Sequence, residues 1–93
     1  MSAALQMADR PALAPGYRFQ WEAAQQAHVL LYPEGMVTLS GSAGEILKRC
    51  DGERSVEQIC VDLEIAFPGA DLRGDVLEFI ADARDRGWLR VDG

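Results

Sequence analysis

Apolar positions recur with a period of two in the first half of the chain and with a period of 3.6 in the second half. Tyr17, Phe19 and Trp21 alternate with polar residues, which is typical of a half-buried strand. Two further extended runs follow at residues 28–32 and 36–39. Because the connections between the three runs are short, the pattern predicts an antiparallel three-stranded meander.

The link between the second and third predicted strands is Pro-Glu-Gly at residues 33–35. We expect a three-residue turn closed by Gly35 in the left-handed conformation. With the strands in sequence order, the third strand lies at an edge of the sheet and leaves backbone donors and acceptors unpaired. It carries neither the charge nor the proline that usually protects such an edge.

Three helices are predicted after Ser40. Ser40 and Ser42 are alternative N-caps of the first helix, and Ser55 begins a capping box at the start of the second. The third helix begins near Asp71 and ends at Gly87, which suits a left-handed C-cap. The sequence therefore predicts an α+β fold, with a three-stranded antiparallel sheet followed by three helices in a winged-helix-like arrangement.

The first fifteen residues show no clean period, and Pro11 and Pro15 prevent a long helix across them. We expect a flexible N-terminal arm over residues 1–15 and a single domain over residues 16–93. The arm and the unprotected edge strand are two routes to a homodimer. The apolar residues that suit the arm for docking on a second copy are Leu5, Met7 and Leu13.

Composition and charge exclude some classes of partner. The chain has 93 residues and a formal charge of −6, and nearly all of the negative charge falls in the helical half. Such a surface repels nucleic acid. No apolar run approaches the ~20 residues that span a bilayer. Two cysteines without a secretory context indicate reduced thiols, so we expect a soluble cytoplasmic protein that has no membrane partner.

Candidate catalytic and ligand-binding residues are few. His28 is the only histidine, and Cys50 and Cys60 lie on apolar helix stripes, where free cysteine acts as a small hydrophobe. This set cannot supply a structural zinc site. The glycines of residues 41–44 match neither a phosphate loop nor a dinucleotide fingerprint. We expect no catalytic centre, no metal and no cofactor.

Peptide binding is the function that these observations leave open. At ~100° per residue, Arg73, Leu77 and Arg84 cluster on one arc of the third helix and border Ile80. One interpretation of this arc is an ordinary surface patch; the other is one wall of a peptide groove whose opposite wall is the third strand. The predicted strand residues of the site are Met36, Val37, Thr38, Leu39 and Ser40. An alternative function is a winged-helix DNA-binding protein or a structural adaptor, although the third helix has more acids than bases.

Several segments resemble the PqqD family, the peptide chaperones of pyrroloquinoline quinone (PQQ) biosynthesis. They cover about four-fifths of the chain and include Gly-Tyr-Arg-Phe-Gln-Trp at 16–21, His-Val-Leu-Leu-Tyr-Pro-Glu-Gly-Met at 28–36, Asp51-Gly52 and Trp88. The resemblance implies a protein that is not an enzyme, binds the precursor peptide PqqA and presents it to the radical S-adenosylmethionine enzyme PqqE. It also implies that the peptide pairs with the third strand and lies against the third helix.

Overall fold

Three central strands and three helices form where the two periodicities predict them. The computed structural model describes residues 4–92. The elements in chain order are β1 (Arg10–Leu13), β2 (Arg18–Glu22), β3 (Ala27–Tyr32), β4 (Gly35–Thr38), α1 (Gly41–Lys48), α2 (Val56–Ala66), α3 (Arg73–Asp85) and β5 (Leu89–Asp92). The predicted α+β class is confirmed.

The central sheet has the order β2-β3-β4 and is antiparallel throughout. Its register places Phe19, Leu30 and Val37 side by side on one face, and all three pack against the core. The three helices cover this face, so the apolar side chains of period two meet those of period 3.6 in one core. The core contains Leu30, Leu39, Ile46, Leu47, Cys50, Val56, Ile59, Cys60, Leu63, Val76, Ile80, Ala83 and Leu89.

The turn between β3 and β4 is shorter than predicted. Tyr32 pairs with Gly35, so only Pro33 and Glu34 lie in the turn. Gly35 belongs to the extended strand and is not among the glycines with positive φ. The expectation of a left-handed Gly35 was therefore wrong, because pairing with Tyr32 requires an extended backbone at that position.

The helix ends follow the predicted capping signals. Ser40 is the N-cap of α1, since its hydroxyl accepts a hydrogen bond from the N–H of Ala43. Ser55 and Gln58 form a complete capping box at the start of α2. At the end of α3, Gly87 has φ 85°, and the N–H of the next residue folds back to donate to the carbonyl of Ala83.

The structure places residues 10–13 of the expected flexible arm in a paired strand. β1 pairs antiparallel with β5, and the patterns described above do not predict this pair. The chain before β1 also caps α2, since Val56 and Glu57 donate their N–H groups to the carbonyls of Asp9 and Met7 at 2.9 and 3.0 Å. Residues 1–3 of the arm lie outside the described residues. Within the described range, no helix is long and apolar enough to cross a membrane.

Candidate functional site

The edge strand β4 offers unpaired backbone groups. The N–H of Leu39 donates to the carbonyl of His28 at 2.9 Å. Bonded and non-bonded pairs alternate along an antiparallel ladder, so Val37 and Leu39 direct their backbone groups to β3, whereas Met36 and Thr38 direct theirs outward. Within residues 4–92, β4 pairs with β3 alone. The N–H and C=O groups of Met36 and Thr38 are therefore available to an added strand.

The side chains of β4 anchor this edge without protecting it. Val37 and Leu39 point inward and pack in the core. Met36 is 46% exposed, and the hydroxyl of Thr38 donates to Oε1 of Gln25 at 2.8 Å across the outer face. Gly-Met-Val-Thr contains no charge and no proline, which are the usual means of blocking edge-to-edge pairing.

An apolar groove begins where β4 ends. Ser40 lies between β4 and α1 and lines an open cavity of about 550 Å³ between α1, α2 and α3. This volume is within the range of ligand pockets, roughly 300–1,000 Å³. The apolar lining residues are Ala43, Ile46, Leu63, Phe67, Ala70, Leu72, Val76 and Phe79. Of the predicted strand residues, Ser40 lines this cavity and residues 36–39 do not.

The rim of the groove is acidic. Glu45 and Asp75 line the cavity, and Glu78 and Asp82 continue along the same flank of α3 beside Phe79. The pKa of Glu45 is lowered chiefly by its hydrogen bond from Arg49, whose Nη1 lies 2.9 Å from Oε1 of Glu45. Glu45 is therefore ionised at neutral pH. The groove pairs an apolar floor with a negatively charged edge.

The predicted arc of α3 does not line this cavity. The structure places Arg73 against α2, where its guanidinium donates to Glu57 at 2.6 Å and to Glu64 at 3.0 Å. These bonds raise the pKa of Arg73, the one to Glu57 most. Ile80 is fully buried in the core. None of these atoms faces the cavity.

Leu77 and Arg84 lie on the flank of α3 that Arg73 occupies, because steps of ~100° bring positions 73, 77 and 84 together. The cavity adjoins the other flank, through Leu72, Asp75 and Phe79. Leu77 packs against the core, and Arg84 lies 3.5 Å from Asp85. Of the predicted site residues, Ser40 lines the cavity, whereas the four residues of the arc do not.

Leu72, Asp75 and Phe79 are among the groove residues that the sequence did not single out for the site. The apolar stripe of α3 assigns Leu72 and Phe79 to the core, and both are in fact half-buried at its border. Helical spacing distinguishes the two flanks of α3. It does not predict which flank lines the groove, because this depends on how α1 packs.

The other candidate residues have structural surroundings. His28 stacks on Phe19 at 4.7 Å between ring centroids and meets Trp21 edge-on at 5.1 Å. Cys50 and Cys60 are buried, as predicted, and burial raises the pKa of Cys50 to about 12. In the part of the chain that the structure describes, no group of three histidine, cysteine or acidic side chains is placed to hold a metal ion.

A small α+β domain with an open edge strand beside an apolar groove belongs to the class of peptide-recognition domains. The model of the family described as Coenzyme PQQ synthesis protein D (PqqD) matches residues 27–89. The chain is 52% identical over 84 residues to the PqqA binding protein of Azotobacter vinelandii, across 89% of this chain and 91% of that protein. It is 42% identical over 88 residues to that of Stutzerimonas stutzeri, across 94% and 96%. The chain belongs to the PqqD family.

Solved structures agree with this assignment. The solution NMR structure of the PqqD truncation of Methylobacterium extorquens PqqCD, described as a stand-alone recognition element for ribosomally synthesized and modified peptides, superposes with a TM-score of 0.77. It is 31% identical and covers 94% of this chain and 95% of that one. The heterocyclase TruD superposes with a TM-score of 0.67 at 20% identity, over 90% of this chain and 12% of TruD. This second likeness shows the shared fold alone.

Proposed function

We propose that this chain is a peptide chaperone of PQQ biosynthesis that binds the precursor peptide PqqA by strand addition to β4 and presents it to the radical S-adenosylmethionine enzyme PqqE. The observation that carries the proposal is the open edge of β4, which leads into an apolar groove. Relatives of similar length that are named PqqA binding proteins support the identity of the peptide.

Binding uses the backbone for affinity and the groove for selection. The outward groups of Met36 and Thr38 pair with the peptide backbone, while Val37 and Leu39 hold the strand in the core. Alternate side chains of an extended peptide point to opposite faces. One set therefore faces the groove beyond Ser40, whose lining favours an apolar side chain.

The proposal assigns the helical wall of the site to Leu72, Asp75 and Phe79. It leaves out the predicted arc, because Arg73 is engaged by α2 and Ile80 is buried. The acidic rim favours a cationic part of a peptide, since Asp75 and Glu78 on α3 lie beside the groove.

The role proposed is binding, not catalysis, and it requires neither a metal nor a cofactor. The proposal places the chain in the cytoplasm, where a ribosomally made peptide is available to a modifying enzyme. Free, buried thiols at Cys50 and Cys60 are consistent with that compartment. The same open edge also allows two copies to pair, so a homodimer through β4 competes with the peptide in this account.

Calorimetric titration of the chain with synthetic PqqA tests the binding step. We expect saturable binding with a stoichiometry of one peptide per chain. A titration that shows neither heat of binding nor any spectral change on addition of the peptide would contradict the proposal. Crosslink formation in PqqA by PqqE, measured with and without the chain, tests presentation. The rate of crosslink formation should be higher when the chain is present.

Two variants of α3 distinguish its flanks. Phe79→Ala removes a ring from the groove and should weaken PqqA binding about tenfold, as is common for a buried aromatic contact. Leu77→Ala truncates a half-buried residue of the opposite flank and should leave the affinity unchanged. The reverse result would restore the arc predicted from the sequence.

A further inference from the structure

The ring of His28 lies between the central sheet and α1. It stacks on Phe19 of β2, with 4.7 Å between the ring centroids and 14° between the ring planes. Trp21 is the residue opposite His28 in the register of β2 and β3, and its ring meets that of His28 edge-on at 5.1 Å. Two aromatic neighbours on the adjacent strand therefore hold the imidazole in one orientation.

The same ring lies against the backbone of α1 at Gly44. A Cβ at position 44 would lie 2.8 Å from Nδ1 of His28 and 3.2 Å from its Cβ. Both distances are shorter than the optimal separation of non-bonded heavy atoms, roughly 3.5 Å. The helix therefore approaches the ring this closely only because residue 44 has no side chain.

Glycine is otherwise an unfavourable residue at this position. Gly44 is buried in the middle of the eight residues of α1, where glycine gives a less stable helix than alanine. Its backbone does not require glycine, because Gly44 is not among the glycines with positive φ. Close packing against His28 is thus the requirement that glycine meets here.

The groove lies on the opposite face of α1. Steps of ~100° per residue place Gly44 about 160° from both Ser42 and Ile46, which line the cavity. His28 therefore supports α1 from behind the wall that this helix contributes to the groove. The position of the wall depends on how closely the ring and the helix approach each other.

His28 is also bonded to the end of β4. Its carbonyl accepts a hydrogen bond from the N–H of Leu39 at 2.9 Å. The next residue, Ser40, is the N-cap of α1 and lines the cavity. The backbone of His28 thus holds the strand that leads to α1, while its side chain holds the helix itself.

We propose that His28 is a positioning residue for peptide binding, whose ring, packed against Gly44, sets the distance of α1 from the sheet and so the shape of the groove. His28 does not line the groove, so it acts through α1 and not by contact with the peptide. The inference deepens the proposed function and rests on it, because the groove is there assigned to PqqA.

Two substitutions should displace α1 in opposite directions. Gly44→Ala adds a methyl group that pushes the helix away from the ring, whereas His28→Ala removes the ring and lets the helix move toward the sheet. Each should weaken PqqA binding about tenfold in calorimetry, because a site loses affinity when its support shifts.

The double variant gives the decisive comparison. The added methyl group occupies part of the space that the ring leaves, so the affinity should return to within about threefold of the wild type, as coupling between residues in contact allows. Circular dichroism establishes that each protein is folded. If Gly44→Ala alone does not fold, the double variant should still bind PqqA more tightly than His28→Ala, which tests the same coupling.

Val56→Ala is the control for loss of stability alone. Val56 is fully buried on α2 and does not line the groove. Its truncation should lower the denaturation midpoint and leave the affinity for PqqA unchanged. NMR of the free proteins adds a measurement that needs no peptide. The signals of Ile46 and Phe79 in the groove should shift in Gly44→Ala and return toward their wild-type positions in the double variant.

The outcomes separate this inference from the proposed function. A wild-type chain that does not bind PqqA overturns the proposed function and the role of His28 in binding with it. Wild-type binding that both single variants leave unchanged overturns the positioning role alone. Single effects that multiply in the double variant, to about a hundredfold loss, also overturn it, because they show two independent residues. So does an affinity that falls as far in Val56→Ala as in His28→Ala.

Discussion

Proline at Thr38 tests strand addition with little damage to the fold. The N–H of Thr38 faces the open edge, so Thr38→Pro removes a donor that β3 does not use. Proline is tolerated on edge strands when its missing N–H faces solvent. It also requires an extended preceding residue, and Val37 is in the strand. The substitution should therefore act on the peptide far more than on stability.

The size of the effect follows from the bond that is lost. Without the N–H of Thr38, one peptide carbonyl is left without its donor, which costs about 1–3 kcal/mol. At 1.4 kcal/mol per decade, the affinity for PqqA should fall about 5- to 150-fold. Loss of the hydroxyl bond to Gln25 affects stability alone and only slightly, since both groups are exposed.

Thr38→Ala is the matched control. It loses the same hydroxyl but keeps the N–H, so it should bind PqqA like the wild type in calorimetry. Circular dichroism and the denaturation midpoint establish that both variants are folded. A folded Thr38→Pro that binds PqqA at full strength would refute the argument that the β4 backbone pairs with the peptide.

Three further predictions concern the fold itself. Gly44→Ala puts a Cβ 2.8 Å from Nδ1 of His28. The substitution should lower the free energy of unfolding by about 1–3 kcal/mol in chemical denaturation. An unchanged denaturation midpoint would show that the His28 ring moves aside without cost. Ser55→Ala removes the capping box of α2 and should cost about 1 kcal/mol in the same assay, a value near zero being the contrary result. Cys50, with a pKa of about 12, should resist a thiol reagent at pH 8 until the chain unfolds, and rapid labelling of the native protein would contradict its burial.

Local sequence signals predicted most of the fold. Alternation over Tyr17, Phe19 and Trp21 located β2, and the capping box at Ser55 located α2, because both signals depend on residues that are neighbours in the chain. The β1–β5 pair was missed as a pair. Its strands are separated by most of the chain, and neither is long or strongly alternating.

The two parts of the predicted site depend on different kinds of signal. The open edge follows from strand order and from the lack of charge or proline at residues 36–39, both visible in the sequence. The flank of α3 is different, because Arg73 and Phe79 are equally plausible until the packing of α1 and α2 is known. Arg73 is drawn to Glu57 and Glu64 across a helix interface, a contact between residues distant in sequence.

The turn before β4 shows a similar limit. A Pro-Glu-Gly link suggests a left-handed glycine, yet the pairing of Tyr32 with Gly35 makes that glycine part of the strand. Register depends on which side chains reach the core, here Leu30 and Val37. Turn chemistry alone therefore does not set where the strand begins.

Amide hydrogen exchange of β4, followed by NMR with and without PqqA, tests the central claim most directly. In the free protein, the N–H groups of Met36 and Thr38 should exchange quickly, while those of Val37 and Leu39 are protected by β3. Saturating PqqA should slow exchange at Met36 and Thr38. Exchange at these two amides that PqqA leaves unchanged, or protection that appears instead on the β2 edge at Phe19 and Trp21, would contradict the account.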